Sequence, residues 1–400
     1  MKTGIIFVDD EVKVLDGIKR TLRGMRDQWE MKFATGAREA LDIMSKEPID
    51  VVVSDMRMPE FDGAQLLTEI KNKYPGVIRI VLTGSTEKRD VMQSLKVAHQ
   101  FLSKPCEVEN LKSAILSTYA TKGLLENDTI KKAISSMGTL PSIPSLYMEL
   151  VKEIESADAS IHKVGKIISQ DVSMTAKILQ LVNSPYFGLY QRVASPEQAS
   201  TLLGLETVKS LVLSVKIFAQ YKNTKMPGFS PEELYSHSLA TASVAKAIAK
   251  KEGEEEAFIN DTFTAGMLHD LGKLILASNF PEQYQKTVAM ASDNKVELWK
   301  AEKDVFNATH SEVGAYLLGI WGLPNSIMEA IAFHHYPEKY PKILFGPITA
   351  VYAANILEHA SRTNGDGAQI DPEYLSRLNM EDRPDKWKEI SSKILEGGEN

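Results

Sequence analysis

Five short apolar runs at near-regular spacing constrain the first third of this chain more than any other feature. They are IIFV (5–8), MKFA (31–34), VVVS (51–54), IRIVL (78–82) and QFLS (100–103). Helix-length amphipathic stretches such as VKVLDGIKRTLRGM and AREALDIMSK lie between them. Strands alternating with helices predict a parallel sheet covered on both faces. Ligands of such sheets sit beyond the C-terminal ends of the strands. There the first run leads into Asp9 and Asp10, the third into Asp55, the fourth into Thr83 and the fifth into Lys104. Three carboxylates at one edge repel each other unless a hard cation sits among them, and Mg²⁺ suits such an oxygen cluster. A carboxylate held there can act as a nucleophile toward phosphorus. A nearby Lys and Thr can then neutralise and hydrogen-bond the added phosphoryl oxygens. Each residue alone would be an ordinary strand-end turn former; the set of five gives the pattern its meaning.

The stretches VDDE, SDMRMPEFDG, VLTGS and FLSKP resemble the receiver domain of two-component response regulators across about residues 3–122. The resemblance implies a flavodoxin-like α/β fold with a five-stranded parallel sheet. It implies Asp55 as phosphoacceptor and Mg²⁺ held by Asp9, Asp10, Asp55 and the backbone carbonyl of Arg57. Thr83 would be the switch hydroxyl, Phe101 the switch aromatic and Lys104 the phosphate-pairing cation. It further implies a histidine kinase or phosphotransfer protein as donor. A homodimer through the face carrying Phe101 and Lys104 belongs to the same expectation.

Charge separates the two parts of the chain. Residues 1–122 hold 19 Lys+Arg and 18 Asp+Glu, and the remainder holds 27 and 35. The longer part is acidic and has no basic cluster of the kind that tracks a phosphate backbone, which argues against direct DNA binding. The single cysteine, Cys106, excludes an internal disulfide and fits a reducing cytosol. No apolar run approaches a membrane span, and MKTGIIFVDDE does not read as a secretory signal. A cytoplasmic bacterial protein is expected.

The stretch CEVENLKSAILSTYATKGLLENDTIKKAI follows the last strand. A helical stripe of Val108, Leu111, Ile115 and Leu116 would pack on the sheet, and Asp128 or Thr129 is placed to cap the next helix. We divide the chain into 1–122, a helical linker at 123–134, a helical domain at 135–370 and a tail helix at 371–400. From residue 128 onward helical patterns dominate and breakers such as MPGFSP, NFPEQ and HHYPEKYP separate them. An all-α domain of about a dozen helices is expected.

Seven of the eight histidines fall in this second part. His162 and His359 read as incidental. His237, His269, His310, His334 and His335 lie on or at the edge of predicted helices, with Glu233 one turn before His237 and Asp270 beside His269. Imidazoles and carboxylates pointing inward from separate helices are how helical bundles build metal sites. LPSIPSL, ISQDVSMTAKILQLVNSPYFG, STLLGLETVKSLVLS, HDLGK, ATHSEVGAYLLGIWGLP and IAFHH resemble the HDOD domain, a relative of the HD-type metal-dependent phosphohydrolases. The resemblance implies iron, manganese or zinc held by His237, His269 and Asp270. The related HD-GYP cyclic-di-GMP phosphodiesterases add counterparts of Glu233, His310, His334 and His335, with Lys273 as phosphate contact. Two departures follow: Asn355 stands where an aspartate ligand is expected, and YPEKYP replaces the Gly-Tyr-Pro loop. An amide is a weaker ligand than a carboxylate for such ions.

The reading is therefore a response regulator whose non-catalytic HDOD output docks a downstream signalling protein. The alternative is a phosphorylation-controlled metal-dependent phosphohydrolase acting on a cyclic dinucleotide. A weaker third option is a site that binds metal or ligand purely as a sensor.

Overall fold

The computed structural model describes residues 2–83, 97–104, 106, 108–109, 111–112, 114–116, 125–136, 141–142, 144–156, 158–183, 193–205, 208, 219–220, 226, 228–362 and 369–396. The five apolar runs form β1 (Thr3–Val8), β2 (Trp29–Ala34), β3 (Val51–Asp55), β4 (Ile78–Thr83) and β5 (Gln100–Ser103). They pair in parallel in the order β2-β1-β3-β4-β5. Ile5, Ile6, Phe7 and Val8 are at most 1% exposed, as expected of a strand covered on both faces. Helices α1 (Val12–Thr21), α2 (Ala37–Lys46) and α3 (Gly63–Lys73) connect the strands. Asp62 caps α3 through a reciprocal box with Gln65, satisfying two otherwise orphaned N–H groups. Gly63 must be glycine, because a Cβ there would stand 2.0 Å from the Asp55 carbonyl oxygen.

Fifteen described α-helices follow. They begin with α4 (Asp128–Ser136), α5 (Pro144–Glu155), α6 (Ile161–Ser169), α7 (Val172–Val182) and α8 (Pro196–Leu203). Next come α9 (Pro231–Lys251), α10 (Glu256–Leu268), α11 (Leu271–Asn279), α12 (Pro281–Asn294) and α13 (Leu298–Phe306). The last are α14 (His310–Ile320), α15 (Asn325–Phe333), α16 (Pro347–Arg362), α17 (Pro372–Arg377) and α18 (Pro384–Glu396). The region is not purely helical, since Pro141–Ser142 and Ala219–Gln220 pair as two-residue parallel strands, β6 and β7. The cap of α4 is Asn127, whose Oδ1 accepts from the N–H groups of Thr129 and Ile130; neither Asp128 nor Thr129 fills that role. The tail helix α18 is part of the helical body. Trp387 is fully buried and its indole N–H donates to Glu252 at 2.9 Å, beside the Arg383–Glu252 ion pair. None of the described helices is long and apolar enough to cross a membrane.

The sheet domain and the helical body share their cores. One hydrophobic cluster joins Ile5 and Phe7 to Leu125, Ile130 and Ile134, and on to Leu317 and Ile320. A second joins Ile6, Val8 and Val52 to Met174, Ile178 and Leu179. The polar part of this joint lies at the N-terminal ends of β4 and β5, opposite the acidic edge. The Arg79 guanidinium is 1% exposed and donates to the carbonyls of Val77, Val97 and Ser135. His99 accepts at Nδ1 from the Arg79 backbone N–H, and its Nε2 stands 2.9 Å from both Arg79 Nη2 and Ser135 O. Gln180 Nε2 donates to His99 O, and Gln100 Nε2 donates to Ile320 O. Gly322, at φ +78°, leaves Gln100 the room it occupies.

Candidate functional site

The acidic edge of the sheet is assembled as its strand ends suggest. Asp9, Asp10 and Asp55 each offer an oxygen within 4.8 Å of the others. Lys104 Nζ lies 2.5 Å from Asp9 Oδ2 and 3.2 Å from Asp55 Oδ1. Burial raises the Asp55 carboxyl above its ordinary range, and the Lys104 ammonium works against that rise. The Lys104 amine is itself raised: burial acts to lower it, but Asp9 and Asp55 outweigh burial. Arg57 follows β3 by two residues. The side chains of Thr83 and Phe101 lie outside the described residues.

In the helical body the His-Asp doublet sits at a break between two helices, His269 ending α10 and Asp270 preceding α11. The Asp270 carboxylate is 1% exposed and is shared by two histidine groups. Its Oδ2 lies 3.5 Å from the Nε2 atoms of His237 and His269 and 2.6 Å from Lys273 Nζ. Its Oδ1 lies 3.1 Å from His310 Nε2 and 3.9 Å from His334 Nε2. His335 Nε2 stands 2.9 Å from His310 Nε2, and its ring stacks on Trp299. Both His237–His269–Asp270 and His310–His334–His335 have ligand atoms within 4.8 Å of one another.

Which ring nitrogen is bare follows from the other one. His269 Nδ1 faces Gly266 O at 2.7 Å and His334 Nδ1 faces Ile331 O at 2.7 Å. His237 Nδ1 faces Glu358 Oε2 at 2.6 Å and His310 Nδ1 faces Glu302 Oε2 at 2.6 Å. Carbonyl and carboxylate oxygens only accept, so all four Nδ1 atoms donate. Four Nε2 atoms are thereby left to face Asp270, and those of His237 and His269 meet lone pair to lone pair at 3.1 Å. Asp270 Oδ1, His334 Nε2 and Asn355 Oδ1 are buried without a hydrogen bond. Buried polar atoms are rarely left so, and a divalent cation among them would satisfy the set.

The charges agree. Burial lowers the His269 imidazole to about 3, and burial beside neighbouring imidazoles takes His334 and His335 well below the usual histidine range. Burial acts to raise Asp270, but His269, Lys273 and His310 outweigh it and hold the carboxyl well below its ordinary value. His310 is the exception: burial acts to lower it, yet Glu302 and Asp270 leave it raised, so a cation or a proton belongs between it and Asp270. Neutral imidazoles around a carboxylate are the donor set that iron, manganese or zinc takes.

Glu233 does not share this arrangement. It is exposed in the first turn of α9, its N–H bonded to Ser230, and it stands outside both histidine groups. Asn355 is buried on α16. The sequence did not single out Glu302 or Glu358. It set aside His359, whose ring centroid lies 4.6 Å from that of His237. Glu358 had a readable signal, being one turn after Asn355 on the same helix face. Glu302, eight residues before His310, had none.

Gly272 lets the two halves meet, because a Cβ there would stand 1.9 Å from the His310 carbonyl oxygen. Gly272→Ala is expected to push α11 away from α14. It should cost at least about 1–3 kcal/mol and loosen Asp270 from His310. Thermal melting and metal content check this, and a wild-type value of both would refute it.

A model of the response regulator receiver domain matches residues 5–116, and a model of the HDOD domain matches residues 140–337. An uncharacterized protein of Treponema pallidum is 28% identical over 227 residues, covering 55% of this chain and 44% of that protein. The hydrogenase transcriptional regulatory protein HoxA of Cupriavidus necator is 28% identical over 148 residues, 36% of this chain and 27% of that one. The chain thus spans less than half the length of these relatives. Among solved structures, the MmoQ response regulator of Methylococcus capsulatus aligns over 61% of this chain and 93% of that chain. Its identity is 22% and its TM-score 0.49.

Proposed function

This chain is a response regulator in which a receiver domain precedes an HDOD output domain, and from that premise we propose how it signals. Asp55 accepts a phosphoryl group from a histidine kinase or phosphotransfer protein. Asp9, Asp10, Asp55 and the Arg57 carbonyl would hold Mg²⁺, which would supply charge neutralisation for the oxygens that Asp55 and the donor bring together. Lys104 and Thr83 meet the added charge, and Phe101 follows Thr83 into a second packing. The HDOD body then presents a changed surface to a downstream protein without turning over a substrate.

The observation that carries this reading is the joint beneath the sheet. Thr83 ends β4 and Phe101 lies in β5, and near the starts of the same two strands stand Arg79 and Gln100, which hold Ser135 and Ile320. A shift at the phosphorylated edge has about 13 Å of β4 to cross from Thr83 to Arg79, and it arrives at buried hydrogen bonds rather than at a loose tether. The closed histidine centre fits the same reading. Its four histidine rings are at most 8% exposed, and a catalytic metal ordinarily keeps an open position.

One observation favours a second reading, metal-dependent phosphoester hydrolysis: two histidine groups share Asp270, and Lys273 lies beside it. One experiment separates the two. Purified protein with Mg²⁺ and acetyl phosphate should be labelled, Asp55→Ala should not, and labelling should change hydrogen exchange around Ser135 and Gln180. With added Mn²⁺ or Fe²⁺ the protein should leave cyclic di-GMP intact. Labelled Asp55→Ala would put the phosphate elsewhere. Turnover that disappears in His269→Ala would establish the hydrolase.

A further inference from the structure

We propose that Glu302 and Glu358 are positioning residues of the histidine centre, one on each side of Asp270. Each carboxylate takes the Nδ1 proton of one histidine and fixes that ring with Nε2 turned to Asp270. The inference deepens the metal-bearing reading of this centre and rests on it.

The two sides of Asp270 are built alike. On one side His269 is tied to a carbonyl three residues earlier, and His237 to a carboxylate from another helix. On the other side His334 is tied to a carbonyl three residues earlier, and His310 to a carboxylate from α13. A helix carbonyl is supplied by the backbone at no cost in charge. A carboxylate must be carried into the interior, where it is expensive unless paired. Glu302 is fully buried and Glu358 is 2% exposed. Glu358 shares its charge with Arg362 through its second oxygen, whereas the second oxygen of Glu302 makes no hydrogen bond. Glu302 is thus aimed at His310, taking both its backbone N–H at 2.7 Å and its ring Nδ1 proton.

A carboxylate behind a metal-facing imidazole fixes the tautomer and raises the basicity of the far nitrogen. That matters here because Asn355, one turn before Glu358, brings only a neutral amide to the helix that packs beside His237. Negative charge from this helix therefore reaches the centre through the His237 ring.

The test uses the full chain and two readouts. In metal-free protein, ¹⁵N-histidine spectra should show Nδ1-bound protons at unusually low field for His237 and His310. Glu358→Gln should remove the first and Glu302→Gln the second. Competition with a chromophoric chelator for Mn²⁺ or Zn²⁺ should show each variant weakened about 10–100-fold. Glu312→Gln, which alters the N-terminal cap of the same helix as His310, should move neither readout. Low-field protons that persist in the glutamine variants, or unchanged metal affinity in a metal-binding wild type, would overturn the proposal. A wild type that binds no metal, together with low-field signals that the two glutamine variants remove selectively, would keep the positioning role and refute the metal reading.

Discussion

Asp270→Ala is expected to abolish the stabilisation that added Mn²⁺ or Zn²⁺ should confer on the native chain through the proposed histidine centre. The reason is the shared geometry. Oδ2 serves His237 and His269 while Oδ1 serves His310 and His334, so one truncation removes the one carboxylate that, among the described residues, lies against both histidine groups. A site that binds only the folded state stabilises it by about 4 kcal/mol at 1,000 times Kd. For a body of this size that is roughly 10 °C in Tm. Wild-type protein should therefore melt higher in Mn²⁺ or Zn²⁺ than after chelation, and Asp270→Ala should melt alike in both. Asp270→Asn, nearly isosteric, should also lose most of the shift, because the missing quantity is charge rather than volume. The variant must be compared with chelated wild type, since Lys273 loses its 2.6 Å partner as well. An undiminished metal-dependent shift in Asp270→Ala would mean that the histidines alone hold the ion, or that it binds elsewhere.

The sheet edge was legible in the sequence because strand ends are local. An apolar run followed by Asp9–Asp10, Asp55 or Lys104 names both the strand and the end at which these side chains meet. The helical centre was legible in part. The His-Asp doublet and the HH pair mark themselves, and Lys273 enters through the resemblance that HDLGK carries. Of the residues that orient these rings, Glu302 reads as an ordinary helix glutamate and Glu358 shows only its spacing from Asn355; folding alone brings Glu358 to a histidine 121 residues away. Glu233 shows the converse error, since one-turn spacing placed it with His237 and the fold leaves it at the surface. The tail helix was placed outside the domain because its polarity reads as a surface appendage. Its Trp387 in fact fills the core beside Glu252, with Ile390, Ile394 and Leu395 packed against the same core. The joint was the least legible feature. Arg79 sits inside an apolar strand and His99 in a turn, and nothing in either segment announces a partner at Ser135.

Arg79→Ala is expected to uncouple the two domains. Removing the guanidinium leaves the buried carbonyls of Val77 and Val97 without a side-chain donor and leaves Ser135 O to His99 alone. An unsatisfied buried acceptor costs about 1–3 kcal/mol, so the substitution should cost about 3 kcal/mol even after crediting the charge that is no longer buried. That charge is strained in the native chain, where burial lowers the Arg79 guanidinium to about 10. Arg79→Met keeps most of the volume and removes both the donors and the charge, so it separates packing from hydrogen bonding. A single cooperative melt should split into two transitions in Arg79→Ala. Proteolysis should become faster between the sheet domain and α4. Acetyl phosphate should still label Asp55, because the acidic edge is at the other end of the strands and keeps Lys104. The response at Gln180 and Ser135 to that labelling should disappear. If Arg79→Ala melts as one unit at the wild-type midpoint and its HDOD body still responds to Asp55, the strands are not the route. Coupling would then have to run through the apolar contacts of Leu125, Ile130 and Ile134.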